Sequence, residues 1–232
     1  MHGEPLKKFV IIIAALALSL LIVVAIRRME PRYQGITLSG WTEKAQAAQA
    51  NCADKDHPET DPEWQRCEVA VKSIGGKALP FLLKWIQAED SAQKIKLIRW
   101  VNRKSWAERF DLWPDPALQK HLWATHGFGL LGRDARPAFP TLIQMTQSQN
   151  QERRLWGFIG FAVTKPEKEI FIPVASRLLH DNYEELKNTA AICFNNLYPV
   201  EAKSTGVCEI YPDICNPPTN RVIGTPGISI SK

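Results

Sequence analysis

Aromatic and basic side chains crowd one stretch of the chain: Trp100, Arg103, Lys104, Trp106, Arg109, Phe110, Trp113 and, a little further on, Trp123. Flat rings interleaved with guanidinium groups can stack a sugar, a base or the aromatic residue of a peptide. The expected binding residues are therefore Trp100, Arg103, Trp106, Arg109, Trp113 and Trp123. The plainer alternative is that these tryptophans fill space where regular packing lapses. The chain has eight Trp in 232 residues, enough to supply a groove or a core.

Other chemistry is thinly represented. His121 and His126 are five positions apart, on different faces of a helix, and lack the four-residue spacing and adjacent glutamate of a zinc-protease helix. His180 falls at a predicted helix end, where capping and dipole interactions explain it. No Gly-x-Ser-x-Gly elbow occurs. Gly75-Gly76-Lys77 lacks the spacing and hydroxyl residue of a phosphate loop. Asp54, Asp56, Glu59 and Asp61 lack the glycine and terminal glutamate of a calcium loop and read as a solvated acidic loop. The expectation is no catalytic residue, no metal and no cofactor.

The five cysteines form a pattern. Cys52 and Cys67 bracket the acidic segment, Cys208 and Cys215 bracket a short loop, and Cys193 stands in the apolar run Ala190-Ala191-Ile192-Cys193-Phe194. Neither pair has zinc-ligand spacing. Two local pairs and one buried thiol suit a disulfide-permissive compartment. The expected disulfides are Cys52–Cys67 and Cys208–Cys215, against the alternative of five unrelated free thiols.

The elements that must position these residues begin with an apolar run. Phe9 to Ile26 is 18 residues without a charge, about 27 Å as a helix and close to the hydrocarbon thickness of a bilayer. It is longer than a signal-peptide core, and Arg27 and Arg28 follow it at once. An uncleaved transmembrane anchor is expected over 9–26, behind a short tail at 1–8. The net charge is +5, of which +3 comes from residues 1–32, where Lys7, Lys8, Arg27, Arg28 and Arg32 face Glu4 and Glu30. The remaining chain is nearly neutral, which argues against nucleic acid as partner. Flanking charge alone leaves the orientation open. The cysteine pairs favour the signal-anchor arrangement, with the C-terminal domain extracytoplasmic.

Residues 27–41 read as an extended linker and 42–62 as a helix followed by the acidic loop. From 63 to 199 the pattern is helical, punctuated at Gly75-Gly76, Asp111 to Pro116, Gly132, Gln149-Asn150, Lys165-Pro166 and Asp181-Asn182. Residues 200–232, rich in Pro and Gly, read as an irregular tail.

Three segments align on a proline: Ala78-Leu79-Pro80-Phe81, Ala138-Phe139-Pro140-Thr141 and Phe171-Ile172-Pro173-Val174. Fourteen residues after each proline comes a basic residue (Lys94, Arg154, Lys187), and twenty-one after each an apolar one (Val101, Phe161, Phe194). Pro140 to Pro173 is 33 residues and Pro80 to Pro140 is 60, so the first interval holds one repeat plus extra sequence. Proline near a helix start sacrifices no hydrogen bond, and helical hairpins with one apolar face must stack to bury it.

At these residues the chain resembles the HEAT-repeat family. Gly132-Arg133-Asp134-Ala135-Arg136-Pro137-Ala138-Phe139-Pro140 looks like that family's turn into its second helix, and Asp181 and Lys187 look like its turn acid and following base. The segment Tyr33-Gln34-Gly35 and Ser39-x-Trp41, after the apolar run, is similar to membrane-anchored bacterial members. The stretch Asn102 to Pro116 departs from the pattern. The resemblance implies an all-α fold: a short right-handed α-solenoid of about three to four hairpins behind a single transmembrane helix. It also implies a non-catalytic scaffold for a protein or peptide partner. The alternatives are a cell-envelope glycan-binding module using the Trp-rich insertion at about 100–123, or a non-catalytic subunit of an enzyme complex.

Overall fold

A computed structural model of the chain describes residues 30–52, 57–90 and 116–215. The apolar run Phe9–Ile26 lies outside them. Among the described residues no helix is long and apolar enough to cross a membrane.

The chain enters through a small hairpin rather than a linker. Strands β1 (Arg32–Tyr33) and β2 (Ile36–Thr37) pair antiparallel, Arg32 opposite Thr37 and Tyr33 opposite Ile36. Gln34 and Gly35 take positive φ, 48° and 80°, as a two-residue hairpin turn of this hand requires. Helix α1 (Leu38–Asn51) follows at once, four residues before the expected start at Thr42. Its start is over-determined. Thr37 Oγ1 accepts from the Gly40 N–H at 3.2 Å, and the Glu30 carboxylate accepts from both the N–H and the hydroxyl of Ser39, at 3.3 and 2.8 Å. Those bonds satisfy first-turn donors that a bare helix end leaves open. The expected extended linker over 27–41 is therefore corrected from Glu30 onward.

Helices α2 (Pro62–Ile74) and α3 (Leu79–Ile86) come next. Beyond the insertion lie α4 (Pro116–Leu131), α5 (Phe139–Met145), α6 (Gln151–Ala162), α7 (Lys168–Leu178) and α8 (Glu184–Leu197). The anticipated breaks that fall among the described residues are the real ones; the break at Asp111 to Pro116 lies outside them up to residue 115. Gly75 and Gly132 end their helices at φ 60° and 55°, each leading into a 3-10 turn. Asp61 caps α2 and Asn150 caps α6 through side-chain oxygens. Lys165 adopts φ 52°, a left-handed conformation unusual for a side chain with a Cβ. It follows Gly132 by the same 33 residues that separate the two prolines. Pro80 and Pro140 each occupy the second position of a helix. Pro173, by contrast, lies inside α7, because the residues preceding it wind as α-helix instead of a 3-10 turn.

The fold is all-α. Successive first helices pack in series, α2 on α4, α4 on α6 and α6 on α8, while α3, α5 and α7 pack against α4, α6 and α8 respectively. Helix α1 covers α2 and α4 at the N-terminal end. Fully buried Phe128, Phe158, Phe161, Phe171 and Phe194 form the spine, with Phe139, Phe161, Phe171 and Phe194 in successive ring contacts of 5.2 to 6.2 Å. The repeat register thus placed Phe161 and Phe194 in the core. It placed Arg154 where it links units: its guanidinium binds both Asp181 oxygens at 2.9 and 2.6 Å, Asn182 at 2.8 Å and the carbonyls of Ser148 and Gln149.

As far as Cys215, where the described residues end, the tail is helical rather than irregular. Helices α9 (Pro199–Ser204), α10 (Val207–Ile210) and α11 (Pro212–Cys215) fold back on one another, and α9 and α11 reach α8. Ala202 and Val207 are fully buried, Tyr198 hydroxyl donates to the Pro166 carbonyl, and Asn195 Nδ2 donates to the Ile214 carbonyl at 3.3 Å. Cys208 and Cys215 form the expected disulfide. Cys52 and Cys67 do not. Cys67 lies about 7.5 Å along α2 from Pro62 and faces the core at 0 % exposure, whereas Cys52 ends α1 with its N–H on the Ala48 carbonyl. Burial pushes the Cys67 thiol up to about 11.

Candidate functional site

The insertion that carries the aromatic and basic cluster leaves the described chain after Asp90 and returns at Pro116. Trp100, Arg103, Lys104, Trp106, Arg109, Phe110 and Trp113 all fall within 91–115, outside the described residues. The ends of the insertion are tied together. The Asp90 carboxylate accepts from the Ala117 N–H at 3.0 Å, which places an acid on the first turn of α4, where the helix dipole favours it. The insertion therefore emerges from one point, between the end of α3 and the start of α4.

That root has an aromatic floor. Trp123 on α4 stands edge-on to Trp85 of α3, ring centroids 5.6 Å apart. Two positions earlier, and therefore on the other side of α4, His121 lies against Trp156 of α6 at 4.6 Å. His121 is only 8 % exposed, and its Nε2–H donates to the Ala88 carbonyl at 2.8 Å. Burial holds its pKa below the usual histidine value, although the Ala88 bond and the nearby Asp90 and Glu89 oppose that. The ring is neutral at pH 7, with the proton on Nε2 fixed by a backbone acceptor. The rim is polar: Arg153 donates to Gln87 Oε1 at 3.2 Å and stands 3.7 Å from Glu89 Oε1. Beside the His121–Trp156 pair, and not lined by Trp85 or Trp123, a cavity of about 20 Å³ is bounded by Ile86, Ala88, His121, Arg153 and Trp156. It has room for one water molecule, not for a small-molecule substrate, which needs several hundred Å³.

A second polar seam joins α1 to α4. His126 Nδ1 donates to the Leu122 carbonyl at 2.7 Å and its Nε2 is 3.1 Å from the Gln49 carboxamide. The Gln49 atom facing Nε2 is the carboxamide oxygen, Oε1. Burial again lowers the histidine pKa. Beside it Gln119 Nε2 reaches Gln46 Oε1 at 3.4 Å. Gln119 Oε1 and Trp123 Nε1 are buried without a hydrogen-bond partner. Both histidines of α4 thus brace helix joints. Among the described residues no three His, Cys, Asp or Glu side chains converge as a metal site would require.

Of the expected binding residues the structure places only Trp123, and it places it at the root. Trp85 meets it there, while His121 and Trp156 form a separate pair beside the cavity; neither pairing has a signal in the sequence, because its partners come from different helices. The flanking turn residues, Asp90 and Pro116, were the available clue. No known protein family, curated protein or solved structure matches the chain.

Proposed function

We propose that this chain is a membrane-tethered HEAT-like solenoid that holds a protein or peptide partner and performs no catalysis itself. The observation that carries the reading is the recurrence of one structural unit. A left-handed residue, Gly132 and then Lys165, comes 33 residues apart. Each is followed eight residues later by a proline, and the two units are joined twice by charge, Arg136 to Glu167 at 3.6 Å and Arg154 to Asp181 at 2.6 Å. Arrays of this kind are quasi-one-dimensional and offer extended surfaces rather than enclosed pockets. The aromatic root with its Gln87, Glu89 and Arg153 rim is such a surface, since buried aromatics inside a polar rim anchor protein partners. The water-sized cavity beneath it supports binding over turnover.

Phe9–Ile26 supplies the tether in this reading. The Cys208–Cys215 bond supports an extracytoplasmic, periplasmic domain, because disulfides persist in oxidising compartments. The test is site-specific photo-crosslinking in intact cells. A benzophenone amino acid at Gln87 is expected to trap one partner protein in stoichiometric yield, and the same group at exposed Val69 on α2 to trap none. A chain that remains uncrosslinked from both positions, and that is recovered alone from detergent extract, refutes the scaffold. Retention on purified cell-wall glycan that is lost in Trp106→Ala and Trp113→Ala would replace the protein partner with a glycan.

A further inference from the structure

The hairpin that replaces the expected linker constrains where the domain can stand. We propose that residues 30–39, the base of the hairpin and the start of α1, are held against the lipid headgroup layer, so that the domain lies on the membrane instead of swinging above it. This rests on the reading of Phe9–Ile26 as a membrane-spanning helix.

The geometry is a matter of reach. An extended linker over 27–41 would allow about 54 Å between bilayer and domain, at 3.6 Å per residue. The structure removes most of that freedom. Glu30 is bonded to Ser39 through both its N–H and its hydroxyl. The Pro31 carbonyl accepts from the Leu38 N–H at 3.0 Å, and Trp41 Nε1 donates to the Tyr33 carbonyl at 3.2 Å. Leu38 and Trp41 are buried in the core. The chain is therefore part of the folded domain from Glu30 onward, and only residues 27–29 remain between it and Ile26. Four Cα steps span at most about 14 Å. A headgroup layer is itself about 5–8 Å thick on each side of the hydrocarbon, so Glu30 cannot leave its immediate vicinity. The charges suit that position: Arg32 is exposed, and in the sequence Arg27 and Arg28 follow the apolar run directly, a basic content that complements anionic headgroups.

The test uses the full chain reconstituted in vesicles of phosphatidylethanolamine and phosphatidylglycerol, with a genetically encoded fluorescent amino acid at Glu43. Glu43 is exposed and one helical turn from Ser39. Headgroup nitroxide lipids should quench it strongly. Inserting a twenty-four-residue Gly/Ser segment between Met29 and Glu30 lengthens the tether to about 29 Å root-mean-square, and quenching should fall about threefold. Circular dichroism of the two proteins should be the same, since the insertion lies outside the folded residues. Equal quenching in the two proteins, or none in either, overturns the proposal while leaving the tether intact. A chain that does not float with the vesicles overturns both the tether and the proposal.

Discussion

Helix α6 crosses α5 so closely that a single methyl group distinguishes two kinds of glycine. A Cβ built on Gly157 would lie 2.5 Å from the Met145 Cβ, 3.1 Å from the Leu142 carbonyl oxygen and 3.3 Å from the Met145 carbonyl carbon. Carbon atoms in good contact stand about 3.5–4.0 Å apart, so α5 must retreat by about 1 Å as a body. Overpacking of this kind costs about 1–3 kcal/mol, and backbone neighbours place it at the upper end. Alanine recovers about 1 kcal/mol of helix propensity. The net expectation for Gly157→Ala is a loss of about 2 kcal/mol, or about 4–8 °C in Tm for a domain of this size. Gly127 offers the control. Its Cβ would meet Leu82 Cδ2 at 2.4 Å, a shorter distance but to the far end of a side chain. A rotamer change at Leu82 relieves most of that clash, and Gly127→Ala should stay within about 1 kcal/mol of wild type. Adding Met145→Ala should not rescue Gly157→Ala, because alanine keeps the offending Cβ. Thermal and urea unfolding of the full chain in detergent, followed by far-UV circular dichroism, measures both variants. A Gly157→Ala protein as stable as wild type would refute the packing of α5 on α6.

Lys165→Gly should stabilise by up to about 1 kcal/mol in urea unfolding, since a left-handed L-residue costs about 1–2 kcal/mol and glycine's extra chain entropy returns part of it. Gly132→Ala, where open space surrounds the Cβ and φ alone matters, should destabilise by about 1 kcal/mol in the same assay. Arg154→Ala leaves the Asp181 carboxylate largely buried beside Asn182 and should cost about 2–3 kcal/mol by the same measure. Asp181 itself has a lowered pKa: burial raises it, but the Arg154 hydrogen bond and charge and the Tyr183 N–H outweigh that. Its stabilisation is present above the unfolded carboxylate value of about 4 and is lost as pH falls through the lower folded value; Asp181→Asn should flatten that part of the acid-unfolding curve. His121 and His126 are held neutral by burial, so stability should begin to decline as pH falls below about 6.5, with His126→Gln reducing the slope. Cys208→Ser removes a cross-link closing a seven-residue separation. Loop-closure entropy puts its loss at about 2–3 kcal/mol, read as faster hydrogen exchange confined to residues 199–215.

Signals that depend on the chemistry of one residue or on a local period were legible in the sequence. Gly75, Gly132 and Asn150 break helices because of their own backbone or capping preferences, Lys165-Pro166 because proline follows a residue held at positive φ against its preference, and all of them fall where expected. The 33-residue register put Phe161 and Phe194 in the core because the apolar face of a helix repeats with its turns. Cys208 and Cys215 are close in sequence and face one another across a short turn. Signals that depend on what a segment meets were not legible. Tyr33-Gln34-Gly35 reads as a loose linker until Glu30 is seen capping α1 and Trp41 reaching back to Tyr33.

Tertiary structure alone decided three further matters. Cys67 is fifteen residues from Cys52, a spacing that permits a bond, but the packing of α2 turns its thiol into the core. The tail looked irregular because Pro and Gly are poor helix formers, yet burial of Ala202 and Val207 holds its short helices in place. The ring pairs Trp85–Trp123 and His121–Trp156 each join two helices, and no spacing along the chain records either meeting. The sequence by itself determined the helices, their breaks and the apolar run before them, because those follow from local propensity and hydrophobic period. Which faces meet, which thiol is buried and that residues 30–37 fold as a hairpin onto α1 are set by long-range contacts, and only the folded chain decided them.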